Sequence, residues 1–232
     1  MSATGPGGVT REPRSISLHV RRPWLLALLV GATVVAARVG STAGTGGPAT
    51  LIRLGFGRQQ VWQPLQGAAD LQRCTYPISL DCVRKVMEQH GASADAFEFY
   101  RLTGWFLADL QDTGGPVMSA TVVNPWRANE NVQPALVGGF PVVVYPEDVQ
   151  LAVENDAGFK TLKAEFPQLI FWKAGASLET YAVTAAGERF VFRYRLLDGS
   201  HAGPTRGWAR IEFDFATDGT LQRAKLLNVV RQ

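Results

Sequence analysis

The strongest constraint on the fold is an alternation of apolar and polar residues in the last third of the chain. From Arg189 to Leu196, an aromatic or aliphatic residue occupies every second position, with arginines and one valine between them. The same period of two recurs from Ala209 to Phe215, with one arginine and two acids between the apolar residues. Such alternation is typical of strands with one buried and one solvated face. We therefore predict two neighbouring strands of an antiparallel sheet.

A hairpin turn predicts the register of the last two strands. The Asp-Gly dipeptide at 218–219 is typical of a two-residue type I′ turn. With this turn at the centre, Asp214 faces Arg223 and Glu212 faces Lys225. Opposite charges then meet on the solvated face, which favours this register over its neighbours.

The connection between the two alternating strands predicts a second set of pairs. If residues 198–207 join these strands symmetrically, Arg193 faces Glu212 and Phe192 faces Phe213. The first pair would be an ion pair on the solvated face, and the second would be two aromatic rings in the core. An antiparallel meander follows from the two turns together.

The chain before these strands is predicted to be largely helical. Ser79 and Ser93 are residue types that cap helix starts, and apolar residues at helical spacing follow each of them. Glycine and proline then provide the stops. The pattern predicts helices at about 79–90, 93–111 and 158–166, and two β-rich runs at 117–123 and 141–145.

Further β-rich runs at 169–172 and 180–185 precede the alternating strands, which gives a meander of four or five strands. Helices followed by such an antiparallel meander predict the α+β class. Over residues 147–232 this order resembles the cystatin or NTF2-like roll, in which a sheet packs one face on a helix. The resemblance is at fold level only, because the Gln-x-Val-x-Gly motif of cystatin inhibitors does not occur. It implies an architecture and no activity.

The start of the chain predicts export across a membrane. A basic tail leads into fifteen apolar residues, 23–37, that lie between two arginines. This is short of the roughly 20 residues of a spanning helix, so a cleaved signal peptide and a single membrane anchor both stay open, as do the Sec and twin-arginine routes. The predicted organisation is a basic tail (1–22), a signal-peptide apolar region or membrane anchor (23–43), a spacer (44–64), a helical part with two short strands (65–146) and a helix with an antiparallel sheet (147–232), the last two forming one compact unit.

The net charge of +3 belongs to the leader. Five arginines and one glutamate precede residue 44, which leaves 18 of the 23 basic and 19 of the 20 acidic residues for the remainder. A body so close to neutral has no surplus of cations to displace counterions from a phosphate backbone. We therefore do not expect nucleic-acid binding.

The two cysteines, Cys74 and Cys82, are eight positions apart, and an even pair in an exported chain predicts a disulfide. The alternative is a cysteine nucleophile with His90 as its base, which requires a free thiolate. His90 lies at a predicted helix end and His201 in a loop, and a structural role explains each position without catalysis. No metal-ligand spacing, phosphate-binding loop or nucleophile elbow occurs, so we expect neither metal nor cofactor.

One irregular segment, 124–133, is a candidate recognition loop, because tryptophan and arginine often anchor interfaces. Its candidate residues are Asn124, Trp126, Arg127, Asn129, Glu130 and Asn131. The alternative is that Trp126 fills the core while the asparagines satisfy turn geometry.

These features predict an exported or membrane-anchored, non-enzymatic binding or assembly module of the bacterial cell envelope with protein partners. Such a layout is also similar to that of subunits of bacterial secretion channels. The alternative function is a small-molecule enzyme on an NTF2-like scaffold. A deep pocket that holds a carboxyl group of raised pKa would favour the enzyme, and a tightly filled roll would favour binding.

Overall fold

The computed structural model describes residues 56–75, 77–127 and 130–232, all within the compact unit Thr50–Gln232. The predicted leader and the first part of the predicted spacer lie outside the described residues. No helix in the described ranges is long and apolar enough to cross a membrane.

The protein is α+β, as predicted, with helices followed by two antiparallel four-stranded sheets. Both sheets are meanders whose strands lie in sequence order, β1-β2-β3-β4 and β5-β6-β7-β8. The helices are α1 (Ala68–Leu71), α2 (Leu80–Gln89), α3 (Ala94–Thr103) and α4 (Ala157–Glu165). The strands are β1 (Phe106–Gln111), β2 (Met118–Val123), β3 (Val132–Val137), β4 (Val143–Val144), β5 (Leu169–Thr184), β6 (Gly187–Asp198), β7 (Thr205–Phe215) and β8 (Leu221–Arg231).

The second sheet confirms the register predicted from the Asp-Gly turn. Asp214 faces Arg223 and Glu212 faces Lys225. The predicted two-residue type I′ turn is wrong, because Gly219 has a positive φ of 83° and Asp218 does not. The turn is closed from Ala216, whose amide donates to the Thr220 carbonyl and whose carbonyl accepts from the Gly219 amide. The predicted four- to five-stranded meander is therefore the four strands β5 to β8.

The register predicted between β6 and β7 is wrong by two residues. Arg193 faces Arg210, and Phe192 faces Ile211. The connection is not symmetric, because the register shifts between Leu196 and Leu197 and the amide of Asp198 already donates to the Pro204 carbonyl, at 3.0 Å. A slip of two residues keeps every side chain on its predicted face.

The helix predicted over 93–111 is also wrong in its second half. Helix α3 ends at Thr103, and Gly104 takes the left-handed conformation with φ of 73°. The chain then continues as β1, whose residues Phe106 and Leu107 pack into different apolar clusters. Because Phe106, Leu107 and Ala108 are all buried, the apolar start of β1 has the appearance of a wrapped helix in the sequence.

The region 65–146 contains four strands where the sequence indicated two. The runs at 117–123 and 141–145 contain β2 and β4, whereas β1 and β3 were not anticipated. Folded structure also extends into the predicted spacer, since Trp62 is only 4% exposed and its indole donates to the His90 carbonyl at 3.2 Å.

The two sheets share a core and several polar links. The largest apolar cluster combines Val117 and Leu136 of the first half with side chains of the second sheet. Buried Glu188 of β6 accepts hydrogen bonds from the Val117 amide (2.8 Å) and the Thr113 hydroxyl (3.3 Å). A Cβ at Gly115 would overlap this carboxylate, so only glycine fits there.

Candidate functional site

The second sheet has one face in the core and one, here called the outer face, toward solvent. The alternation read from the sequence puts Phe192 inside and Arg193 outside. Across β5, β6, β7 and β8, the outer face forms four rows. They are Trp172–Arg195–Trp208–Val230, Ser177–Arg193–Arg210–Asn228, Thr180–Val191–Glu212–Lys225 and Ala182–Arg189–Asp214–Arg223.

The third and fourth rows, the paired end, neutralise their own charges. Glu212 is 4% exposed and lies 2.9 Å from Arg189 Nε and 3.0 Å from Lys225 Nζ. The Lys225 contact is an ion pair without hydrogen-bond alignment. Asp214 accepts hydrogen bonds from Arg189 (3.0 Å) and Arg223 (2.7 Å). Although partial burial opposes it, these two guanidinium groups hold the pKa of Asp214 below its ordinary value.

The first and second rows, the open end, carry two arginines without an anion. Among the described residues, no carboxylate oxygen lies within 4.0 Å of Arg193 or Arg195. Arg193 Nε donates to the Ser177 hydroxyl at 3.1 Å, and Arg195 Nε donates to the Thr205 hydroxyl at 3.0 Å. Both guanidinium groups are therefore oriented by neutral hydroxyl groups rather than by carboxylates.

Two tryptophans flank these arginines. The Arg193 guanidinium lies 4.8 Å from the ring centroid of Trp208, a cation–π contact. Trp172, on the edge strand β5, lies beside Arg195 and 5.8 Å from the ring of His201. Both indoles are partly exposed. The open end thus combines cationic and aromatic surface on a rigid sheet.

An insertion in β5 bounds the open end. Between Trp172 and Ser177 the register shifts, so that residues 173–176 form a bulge. A Cβ at Gly175 would lie 2.9 Å from Trp172 Cδ1 and 3.4 Å from Arg195 Cδ. The bulge backbone therefore packs directly on both side chains and helps to fix their positions.

The predicted disulfide between Cys74 and Cys82 is confirmed, with Cα atoms 5.6 Å apart. No free cysteine exists among the described residues, so the interpretation of a cysteine nucleophile is wrong. A structural disulfide indicates an oxidising compartment. His90, at the end of α2 as predicted, lies with Nε2 3.0 Å from Asp70 Oδ2.

The tryptophan of the candidate recognition loop, Trp126, makes packing contacts and hydrogen bonds within the protein. The Trp126 ring packs against Tyr100 (5.9 Å) and Phe106 (5.7 Å), and its indole donates to the Leu71 carbonyl at 3.3 Å. The amide of Trp126 is held by the Asn124 side chain at 3.1 Å. These contacts match the alternative in which Trp126 fills the core.

The other residues of this loop also have partners or turn roles. Arg127 pairs with Glu147 at 3.2 Å, with its guanidinium 5.1 Å from the Trp105 ring centroid. The Asn131 carbonyl accepts from the Asn124 amide, and Glu130 has a left-handed φ of 55°. Asn129 lies outside the described residues. No hydrogen bond, ion pair or ring contact joins the described residues of this loop, 124–127 and 130–133, to the open end.

An apolar cleft of about 540 Å³ lies between α3 and β4. Burial raises the pKa of Tyr145 there to about 12, against the opposing effect of the nearby Thr103 hydroxyl, so this phenol is neutral at physiological pH. A hydrogen bond from Arg101 lowers the pKa of the Glu98 carboxyl. The lining residues are Phe56, Gln60, Asp95, Glu98, Phe99, Leu102, Thr103, Val142, Val143 and Tyr145.

The core face of the second sheet is filled. Tyr194 is fully buried at its centre, and its hydroxyl donates to the Pro146 carbonyl at 2.8 Å. Burial raises the pKa of this phenol as well. The core face of the second sheet is therefore packed by its own side chains around Tyr194.

No group of three or more metal-binding side chains comes together in the described ranges. The open end is the arrangement that sequence reasoning missed, although the period of two had placed Arg193 and Arg195 on the solvated face. No family model, curated protein or solved structure shows significant similarity to this chain.

Proposed function

We propose that the chain is an exported or membrane-anchored, non-enzymatic binding module of the bacterial cell envelope that holds a protein partner at the open end of its outer face. The observation that carries the proposal is the contrast within one sheet face. Arg189 and Arg223 are matched by carboxylates, whereas Arg193 and Arg195 have none and lie beside partly exposed indole rings. Arginine and tryptophan are the residues most enriched at interface hot spots.

Export is supported by the disulfide and by the composition of the leader. Cys74 and Cys82 are oxidised in a chain whose first residues combine arginines with an apolar segment. Such a disulfide persists outside the reducing cytoplasm. A partner in the same compartment would meet the outer face directly.

The cleft between α3 and β4 is the one observation that favours the alternative, a small-molecule enzyme. Its volume lies within the range of ligand sites, about 300 to 1,000 Å³. However, the carboxyl pKa shift resolved there, that of Glu98, is downward, whereas a general acid needs a raised pKa. The carboxyl shifts resolved elsewhere, at Asp70 and Asp214, are downward too. Binding therefore has the stronger support.

Site-specific photo-cross-linking in intact cells tests the proposal. A photoreactive amino acid replaces Asn228, an exposed residue of the open end, and in a matched chain it replaces Ala182, an exposed residue of the paired end. We expect a discrete cross-linked partner from position 228 that is absent from position 182 and is lost when Arg193→Gln and Arg195→Gln are added. Identical products from both positions, or products that survive the arginine changes, would contradict the proposal.

A further inference from the structure

Two guanidinium groups of the open end lie on the same face of β6 and have no carboxylate partner among the described residues. Arg193 and Arg195 are two residues apart on β6, which places their Cα atoms about 7 Å apart on the same face. Ser177 and Thr205 hold the two Nε atoms, so the planar groups are fixed before any ligand arrives. A guanidinium fork matches a carboxylate with two parallel hydrogen bonds.

The indole rings indicate which chemical group lies next to the anion in the ligand. Trp208 lies in the row between Arg195 and Val230, and Trp172 lies on the other side of Arg195. An anion bound to Arg195 is thus flanked by apolar surface on both sides. A ligand that carries an apolar or aromatic group next to its carboxylate would cover this surface and exclude water from the ion pair.

The surrounding charges exclude a polyanion. The same face carries the carboxylates of Glu212 and Asp214. A third carboxylate, that of Glu179, pairs with Arg210 of the second row at 2.6 Å. The chain beyond residue 43 has 18 of the 23 basic and 19 of the 20 acidic residues, so it offers no extended positive field. A phosphate backbone laid across the sheet would approach these carboxylates, whereas one or two isolated carboxylates would not.

We infer that the open end recognises an acidic peptide segment, in which glutamate or aspartate stands next to an apolar or aromatic residue, presented by the partner protein. This inference rests on the proposed function and specifies its ligand. The carboxylate binds Arg193 and Arg195, and the neighbouring side chain packs on Trp208 or Trp172.

Fluorescence anisotropy with the full-length chain in detergent tests the ligand chemistry. The probe is a labelled eight-residue peptide with two glutamates that flank a phenylalanine, and its control is the same peptide with glutamines. We expect the glutamine peptide to bind at least tenfold more weakly. Arg193→Gln and Arg195→Gln should each weaken the glutamate peptide by about tenfold, the usual effect of losing a charge-assisted hydrogen bond.

The matched control is Arg223→Gln, which removes an exposed arginine of the paired end that already has its carboxylate, Asp214. This variant should bind the glutamate peptide as the unchanged chain does. Equal binding of both peptides, an equal loss in Arg223→Gln, or tighter binding of a single-stranded oligonucleotide would each overturn the inference. If no peptide binds while the chain with both arginines still gives a cross-link from position 228, this inference alone fails. If that chain gives no cross-link from position 228, the proposed function fails as well.

Discussion

The two halves of the protein differ in how their sheets are buried. Both contain a four-stranded antiparallel meander, yet the strands of the first sheet have two to six residues and those of the second have 11 to 16. The first sheet packs residues of both its faces into apolar clusters, Leu136 into one and Ala135 and Val137 into another. The second sheet keeps one face in water. The short strands are thus stabilised by contacts on both sides, whereas the long strands form a sheet with one solvated face.

This comparison predicts that the largest loss of stability comes from the interior of the second sheet. Phe192 is 0% exposed, and its ring lies 5.6 Å from that of Phe213. Phe192→Ala should lower the free energy of unfolding by about 3 to 5 kcal/mol, since it removes a buried ring and leaves a cavity. Urea denaturation measures the loss. Leu227→Ala, at a partly exposed site on the same sheet, is the control and should cost much less.

The disulfide should be the next largest contribution, and it acts on the first half. Closing the short loop between Cys74 and Cys82 stabilises the fold by about 2 to 3 kcal/mol on the chain-entropy model. We expect the double change Cys74→Ser and Cys82→Ser to lower the unfolding free energy by that amount. Reductant should destabilise the unchanged chain and leave the double variant unaffected. A loss greater than that of Phe192→Ala would reverse the ranking of the halves.

Glu188 tests whether the halves are energetically joined. Glu188→Ala leaves the Val117 amide, which is buried between the two sheets, without its acceptor. The expected loss is about 1 to 3 kcal/mol, the usual cost of a buried unsatisfied group. Glu188→Gln, which retains one acceptor oxygen, should lose less. If either variant unfolds in two separate transitions, the link is what makes the halves cooperate.

The smallest expected effect is a pH dependence in the first half. A hydrogen bond from His90 is the main cause that lowers the pKa of Asp70 below 3.8, with partial burial opposing it. A carboxyl whose pKa is lower in the folded state stabilises the fold above its unfolded pKa and loses that effect as pH falls through the folded value. His90→Ala, which removes the donor, should therefore reduce the melting temperature slightly at neutral pH. The difference from the unchanged chain should vanish well below pH 3.8; a constant difference would contradict it.

The sequence predicted the second sheet better than the first for a physical reason. The period of two in β6 and β7 is visible because their two faces meet different environments. In β1, Phe106 and Leu107 are both buried, so the apolar run from Trp105 to Leu110 has no period to distinguish strand from helix. Gly104 was the available signal, since its left-handed conformation ends α3.

The candidate site was hidden by an error of register. With Arg193 placed opposite Glu212, the sequence indicated a neutral pair on the solvated face. The actual register places Arg193 opposite Arg210, whose own partner is Glu179. The asymmetric connection after Leu196 caused this difference, and loop geometry of that kind is not encoded in a hydrophobic pattern. Trp126, by contrast, stood out in the sequence because it is large, and it is used inside the core.

The bulge in β5 also interrupts one edge of the second sheet. A neighbouring strand that tried to extend the sheet at this edge would lose its hydrogen-bond ladder at residues 173–176. The opposite edge, β8, is held near its end by α4, because Arg231 forms a double hydrogen bond with Glu165 at 2.7 Å. The proposed partner would therefore find a continuous surface on the outer face rather than at these two stretches of edge.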